Sequence, residues 1–325
     1  MSKDIEIRFE KAHGQLHKAQ KEIANVIFGQ KNVIDQTLIT LVSGGHALLV
    51  GVPGLAKTLL VDTAATVMGL KSNRIQCTPD LMPSDILGSE ILDESASGKR
   101  SFRFIKGPVF TEFLMADEIN RASPRTQSAL LQAMQEKDVA VAGKNHKLPE
   151  PFHVLATQNP IEHEGTYPLP EAQLDRFLIQ IDVDYPDEAA EREIILNTTT
   201  NETSLASKAM SKADLLEIQS LVRDMPIGDE TLDAAVHLVR NARPGESSLQ
   251  EVNDFVHWAP GPRASQALIM TARARALLDG RSAPSVDDVV AMAEPVLKHR
   301  MGLNYKARAE GLSLSDLIQK LSNSL

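Results

Sequence analysis

A chain of 325 residues with 42% apolar side chains has room for about two packed domains, and with only 4% aromatics its core must be filled by aliphatic residues. The formal net charge of −9 argues against a generic nucleic-acid or anionic-membrane binder, which needs a basic surface, yet it leaves room for a local phosphate cradle. A single cysteine, Cys77, excludes an internal disulfide and fits a cytosolic setting; its apolar-to-polar surroundings make it a small buried hydrophobe rather than a nucleophile.

The chain opens into a polar helix rather than a signal peptide. No apolar run approaches the ~20 residues of a membrane span, so no membrane insertion is expected. Residues 4 to 25 carry helical spacing, closed by Gly29 after Val26-Ile27-Phe28. Residues 33 to 42 read as a second helix and His46 to Val50 as a first buried strand. A Gly/Pro-rich loop follows, then an apolar-periodic helix from Leu59 to Met68 capped by Gly69. Residues 74 to 78 read as a second strand.

Pro79 and Pro83 bracket a turn, and a short helix is expected through Asp85-Ile86-Leu87. Ile91-Leu92 and Ser101 to Ile105 flank a Glu94–Lys99 tip and read as a hairpin. Phe113-Leu114-Met115-Ala116 is continuously apolar, as a central parallel strand should be, and ends in Asp117-Glu118. Ser123-Pro124 supplies an N-cap and an N1 proline for a helix to about Glu136. A second hairpin is expected near 139–148. Strands at His153–Thr157 and Leu178–Ile181 complete the set.

Strands alternating with helices over residues 20 to 183 predict an α/β fold, a parallel sheet between helices. Beyond Pro186 the strand signal disappears and a smaller all-helical domain is expected. Within it, Pro262 and Gly280 bracket one helix and Ser285-Val286-Asp287-Asp288 opens another. The predicted division is a nucleotide-binding domain over 1–185 with a hairpin insert at about 85–106, a linker over 186–205, and a helical lid over 206–325.

The chemistry concentrates in Gly51-Val52-Pro53-Gly54-Leu55-Ala56-Lys57-Thr58, which departs from G-x-x-x-x-G-K-[ST] only at Ala56. Backbone N–H groups of such a loop and the following helix N-terminus form an anion cradle. Lys57 would reach the β- and γ-phosphates of ATP and the Thr58 hydroxyl would sit on Mg²⁺. A Cβ at Ala56 is tolerated only if φ stays negative and the phosphates leave room for a methyl. Asp117, at the end of a buried strand, can hold Mg²⁺, and Glu118 can polarise an attacking water. Asn159, after another apolar strand, could bond the γ-phosphate or that water. Arg176 suits transition-state charge on a phosphoryl group, and Arg263, at a helix N-terminus where it opposes the dipole, has a reason to be there if it meets a phosphate. Such a contact would couple nucleotide state to the angle between domains, hinged near 184–190. The histidines lack metal-site spacing, His163-Glu164 included, and are assigned to surface and packing.

These segments together resemble the MoxR family of AAA+ ATPases, in the helix-2-insert clade, over nearly the whole length. The resemblance rests on the loop with Ala56, on Ala116-Asp117-Glu118-Ile119-Asn120-Arg121-Ala122, on Ala156-Thr157-Gln158-Asn159-Pro160-Ile161-Glu162, and on Gly165 through Phe177. It implies Walker A roles for Lys57 and Thr58 and Walker B roles for Asp117 and Glu118. It further implies sensor 1 at Asn159, an arginine finger acting on a neighbour at Arg176 (with Arg121 and Arg125 as alternatives), and sensor 2 at Arg263. Ile27-Phe28-Gly29-Gln30 matches the segment against adenine, and the nucleotide-binding stretch runs from Gly51 to Leu59. Hexameric rings that remodel or activate protein clients, often with von Willebrand factor A domains, are the implied assembly, and the cytoplasm the implied location. The alternatives are a metal-chelatase motor subunit, a nucleotide-switched scaffold with little turnover, and a DNA translocase, which the charge disfavours.

Overall fold

The computed structural model describes residues 3–94, 100–162, 165–199 and 205–325. The tip of the first hairpin (95–99), His163-Glu164 and residues 200–204 of the expected linker lie outside these. In chain order, helix α1 (Lys3–Ala24) and α2 (Lys31–Val42) lead to strand β1 (Ala47–Val50), α3 (Lys57–Met68) and β2 (Ser72–Gln76). Next come α4 (Pro83–Leu87), the hairpin β3 (Gly88–Glu94) and β4 (Arg100–Lys106), β5 (Phe113–Asp117) and α5 (Pro124–Glu136). A second hairpin, β6 (Asp138–Val141) and β7 (Lys144–Lys147), precedes β8 (His153–Gln158), α6 (Glu171–Leu174) and β9 (Ile179–Asp182). The remainder holds α7 (Glu188–Thr198), α8 (Lys212–Asp224), α9 (Asp229–Asn241), α10 (Gln250–Phe255), β10 (Val256–Trp258), α11 (Pro262–Leu278), α12 (Val286–Leu297), β11 (Gly302–Leu303), α13 (Tyr305–Ala309) and α14 (Leu314–Ser322).

Strands β2, β5, β8, β1 and β9 lie in that order in one sheet, and every pair is parallel. Successive side chains of a strand face opposite sides, so each central strand feeds two cores. Phe113 and Met115 join one apolar cluster, and Leu114 and Ala116 join the other. All five residues of β5 are buried, as the unbroken apolar run requires. One face is covered by α5, through Leu130, Leu131 and Met134. The opposite cluster runs without a break from the sheet through α1, α2 and α3 into α8, α9, α11 and α12.

Local chemistry sets the element ends. Ser123 caps α5, its hydroxyl accepting the Thr126 N–H at 3.3 Å, and Pro124 stands at N1. Ser285 and Asp288 form a capping box at the start of α12. The small antiparallel pair β10–β11 breaks the expectation of an all-helical second half; at three and two residues, neither strand is long enough to carry an alternating pattern. Strand β2 starts two residues earlier than its apolar content indicates, because it is the sheet edge and four of its five side chains are exposed. Helix α7 takes up residues 188–198 of the stretch 186–205 expected to be a linker.

Cys77 is fully buried, and burial, reinforced by Asp117 and Glu118, pushes its thiol up to about 12. The buried histidines are structural. His46 accepts the Val154 N–H at Nδ1 (2.9 Å), with its Nε2 3.2 Å from the Met134 carbonyl. His153 Nδ1 lies 2.8 Å from the Gly45 carbonyl. Burial drives both down, to about 3 and about 4.

Candidate nucleotide site

Parallel strands deliver their C-terminal ends to one edge of a sheet, and ligands bind there. At that edge the loop 51–56 follows β1, Asp117 ends β5 with Glu118 next to it, and Asn159 follows β8. A Cβ on Gly51 would stand 2.5 Å from the Val183 carbonyl, so only glycine lets the loop leave β1 against the turn after β9. Leu55 is buried and anchors the loop, Val52 is half-buried, and Pro53, Gly54, Ala56 and Leu59 face solvent. Lys57 folds its ammonium back onto the Gly51 and Val52 carbonyls, the latter at 2.9 Å. Burial lowers its pKa, with Asp117 and Glu118 acting in the other direction. Thr58 is half-buried in the first turn of α3.

Ala56 corrects the expectation of a negative φ. Its φ is +55°, in the left-handed region, and its carbonyl accepts the Leu60 N–H at 2.8 Å to start α3. The exposed methyl meets no steric wall, so the loop carries only the backbone cost of an L-residue there, about 1 kcal/mol. Glu118 also sits at φ +55°, so strain is held at both functional turns.

The two carboxylates are held by Thr157, Arg74 and Gln76, which the sequence did not single out, and by Arg121, expected instead as an alternative finger. Thr157 donates its hydroxyl to Asp117 Oδ1 at 2.5 Å and accepts the Glu118 N–H at 2.8 Å, one side chain fixing both. Arg74 pairs with Asp117 Oδ2 at 2.5 Å. Gln76 donates to Glu118 Oε2 at 2.8 Å and Arg121 reaches the same oxygen at 3.1 Å. Arg74 and Gln76 alternate on an edge strand, where a charged residue reads as ordinary surface. Asn159 is buried, its Oδ1 accepting the Ile161 N–H at 3.1 Å.

Ile27 is buried and Phe28 half-buried. Gly29 takes φ +71° against Ala190, where a Cβ would meet the alanine methyl at 2.1 Å. A cleft of about 1060 Å³ opens beside this segment, lined by Gly29, Gln30, Asp182, Tyr185 and Lys298 among others. Asp117 and Thr58 offer hard oxygens suited to Mg²⁺, which takes few protein ligands and keeps waters and phosphates. The Asp117 carboxylate already faces a cation, the half-exposed Arg74 guanidinium, at its Oδ2.

Arg176 and Arg263 are not at this edge. The segment 175–178 leads into β9, whose Ile179 pairs with Ala47 at the start of β1, so it lies beside Gly45 and His46 at the N-terminal edge. Arg263 joins it, with Nη1 3.5 Å from Asp175 Oδ2. The four residues of β1, about 13 Å, separate this cluster from the phosphate loop of the same chain. Arg263 therefore lies at the sheet edge opposite the phosphate loop of its own chain, not beside it as expected. Arg121 lies on its own chain's Glu118, and Arg125 is exposed in the first turn of α5. Among the described residues, no helix is long and apolar enough to cross a membrane.

Comparison with known proteins agrees with this geometry. Residues 46–179 match the ATPase family associated with various cellular activities, and residues 252–321 match the AAA lid domain. The chain is 43% identical over 307 residues to Chaperone MoxR1 of Mycobacterium tuberculosis, covering 94% of this chain and 80% of that one. It is 37% identical to YeaC of Bacillus subtilis, over 97% and 96% of the two chains. A crystal structure of a protein from Cytophaga hutchinsonii superposes with a TM-score of 0.91 at 40% identity, covering 99% and 98%. The chain is an ATP hydrolase and belongs to the MoxR family of AAA+ ATPases.

Proposed function

We propose that this ATPase is a Mg²⁺-dependent, ring-forming motor in which each chain holds ATP at its own phosphate loop and offers Arg176, with Arg263 beside it, to a neighbour's nucleotide. The ring, a hexamer in this reading, uses hydrolysis to remodel or activate a protein client, with von Willebrand factor A-domain proteins as the client class. Residues 1–185 serve as the nucleotide-binding domain, 186–205 as the linker and 206–325 as the lid. Lys57 neutralises the β- and γ-phosphates, and Asn159 orients the γ-phosphate or the water. Thr58 and Asp117 would hold Mg²⁺, which when bound neutralises phosphate charge. Glu118 takes a proton from the attacking water once Gln76 and Arg121 release its carboxylate.

The observation that carries this reading is the position of Arg176 and Arg263 at the sheet edge opposite their own phosphate loop. Arginines so placed complete a site only when another subunit brings its cradle to them. The test mixes two inactive variants. Lys57→Ala loses its cradle and keeps its arginines; Arg176→Ala keeps its cradle and loses the finger, a loss of about 10³-fold or more in rate. An equimolar mixture should regain ATPase activity. A mixture that stays inactive, while native mass spectrometry shows mixed assemblies, overturns the reading.

A further inference from the structure

We propose that Arg300 and Asp175 are positioning residues that set the finger Arg176, and with it Arg263, for a neighbour's nucleotide; the proposal rests on the reading above.

Arg300 follows α12, and its side chain is 3% exposed. A guanidinium has five N–H donors, and all five are used. Nε donates to Asp175 Oδ1 at 2.8 Å. Nη1 donates to the carbonyls of Leu178 at 3.0 Å and Val296 at 2.7 Å. Nη2 donates to the carbonyls of Phe177 at 2.6 Å and Asp175 at 3.4 Å. Four of the five bonds therefore land on residues 175–178, the segment that carries Arg176. His299 Nε2 adds a contact to the Phe177 carbonyl at 3.0 Å. The two residues staple the backbone on either side of the finger to the end of a lid helix.

Asp175 extends the device to the second arginine. One of its oxygens takes Arg300 and the other faces Arg263 at 3.5 Å, so a single carboxylate orients a buried cation and an exposed one. Arg176, Arg263, Asp175 and Arg300 line one recess of about 260 Å³. A buried ion pair is weak evidence for stability, because desolvation consumes most of its attraction and well-packed apolar residues often do as well. Burial indeed lowers the pKa of Arg300, with Asp175 opposing. What a guanidinium adds here, and an apolar side chain would not, is a fixed backbone geometry on both sides of a side chain whose aim sets the rate. A misplacement of about 1 Å in a catalytic group costs about 10²-fold.

The test uses two variants in the full-length chain. Asp175→Asn keeps the shape of the side chain and leaves Arg300 its carbonyl partners; Arg300→Lys keeps the charge and loses the fork. Each should bind a fluorescent ADP analogue with wild-type affinity, melt in one cooperative transition, and lose ATPase activity about 10- to 100-fold. In mixed assemblies each should recover activity with Lys57→Ala, which supplies sound fingers, and fail to recover with Arg176→Ala, which supplies none. A residue that only stabilised the fold would not show this directionality. Wild-type turnover by both variants overturns the proposal. Failure of both to recover with Lys57→Ala, while Arg176→Ala does recover with it, overturns this proposal alone. Failure of the Arg176→Ala and Lys57→Ala pair removes the finger in trans, and this proposal falls with it.

Discussion

The two edges of the central sheet are built differently. At the C-terminal edge, short runs of sequence carry the groups: Lys57 and Thr58 are adjacent, as are Asp117 and Glu118, and each pair follows an apolar strand. At the N-terminal edge, Arg176, Arg263 and Arg300 come from three distant segments, and the carboxylate of Asp175, next to Arg176 in the chain, pairs with the other two. The C-terminal edge is cut for phosphate, with glycine where the backbone is crowded and carboxylates for a metal. The N-terminal edge carries an arginine cluster with no phosphate loop of its own chain within reach. Under the proposed function, one edge receives a nucleotide and the other serves a nucleotide held by a neighbouring chain.

The largest expected effect breaks the receiving edge alone. Glu118→Gln removes the group that polarises water but keeps the side chain's shape and its place beside Thr157. Hydrolysis should fall about 10²- to 10⁴-fold while ATP affinity stays within a factor of a few. Single-turnover rates and equilibrium binding separate the two quantities. Turnover at the wild-type rate would assign the base elsewhere.

The second prediction concerns the opposite edge. His46 and His153 are buried neutral there, with pKa values of about 3 and about 4 against an ordinary 6.5. A depressed folded value means that the unfolded chain binds protons first. Stability is therefore full above pH 6.5 and declines as pH falls below it, by on the order of 2 kcal/mol per histidine at pH 5. Melting temperatures between pH 7.5 and 5 should fall by several degrees, and His153→Gln should flatten that slope. A slope unchanged in the variant would show that other groups govern the acid limb.

How much of this was legible in the sequence follows the same divide. The parallel sheet, the phosphate loop, the acidic strand end and the caps at Ser123 and Ser285 could be read because each is local: a glycine, a capping oxygen or an unbroken apolar run acts over a few residues. Thr157 stands out only as part of the Ala156–Glu162 run, since a threonine in a strand reads as packing. Arg74 and Gln76 look like a solvated edge, and only the register that pairs Gln76 with Asp117 brings them to the carboxylates. Arg300 stands in Lys298-His299-Arg300, which reads as a basic helix end. Its role depends on a contact to Asp175, 125 residues away in sequence. The helix position of Arg263 suggests an anion for it to meet, but its place beside Asp175, at the sheet edge away from its own phosphate loop, depends on a topology that the linear order does not contain.

A smaller effect sharpens the account of the receiving edge. Arg74 competes for Asp117 Oδ2, and its side chain is 49% exposed, so solvent screens the pair to a value of at most about 1 kcal/mol. Arg74→Gln should lower the Mg²⁺ concentration giving half-maximal ATPase activity by about fivefold or less. A raised Mg²⁺ requirement would mean that Arg74 helps to orient Asp117 rather than to occupy it.

The smallest effect lies in the loop itself. Ala56 holds φ +55° as the residue before α3, and its methyl faces solvent. Replacing it with glycine removes the close approach of Cβ to the following carbonyl oxygen, worth about 1 kcal/mol, while adding freedom to the unfolded chain that offsets part of the gain. Ala56→Gly should thus raise the melting temperature by a degree or two at most. Nucleotide affinity tells which role the alanine plays. If strain only persists there, affinity is unchanged and the stability gain stands alone. If the methyl restricts the loop to its phosphate-ready turn, glycine lets the empty loop sample other turns, and ADP binding weakens by a small factor even as the fold becomes no less stable. Calorimetry on one variant measures both, and a fall in melting temperature would contradict the strain assigned to this residue.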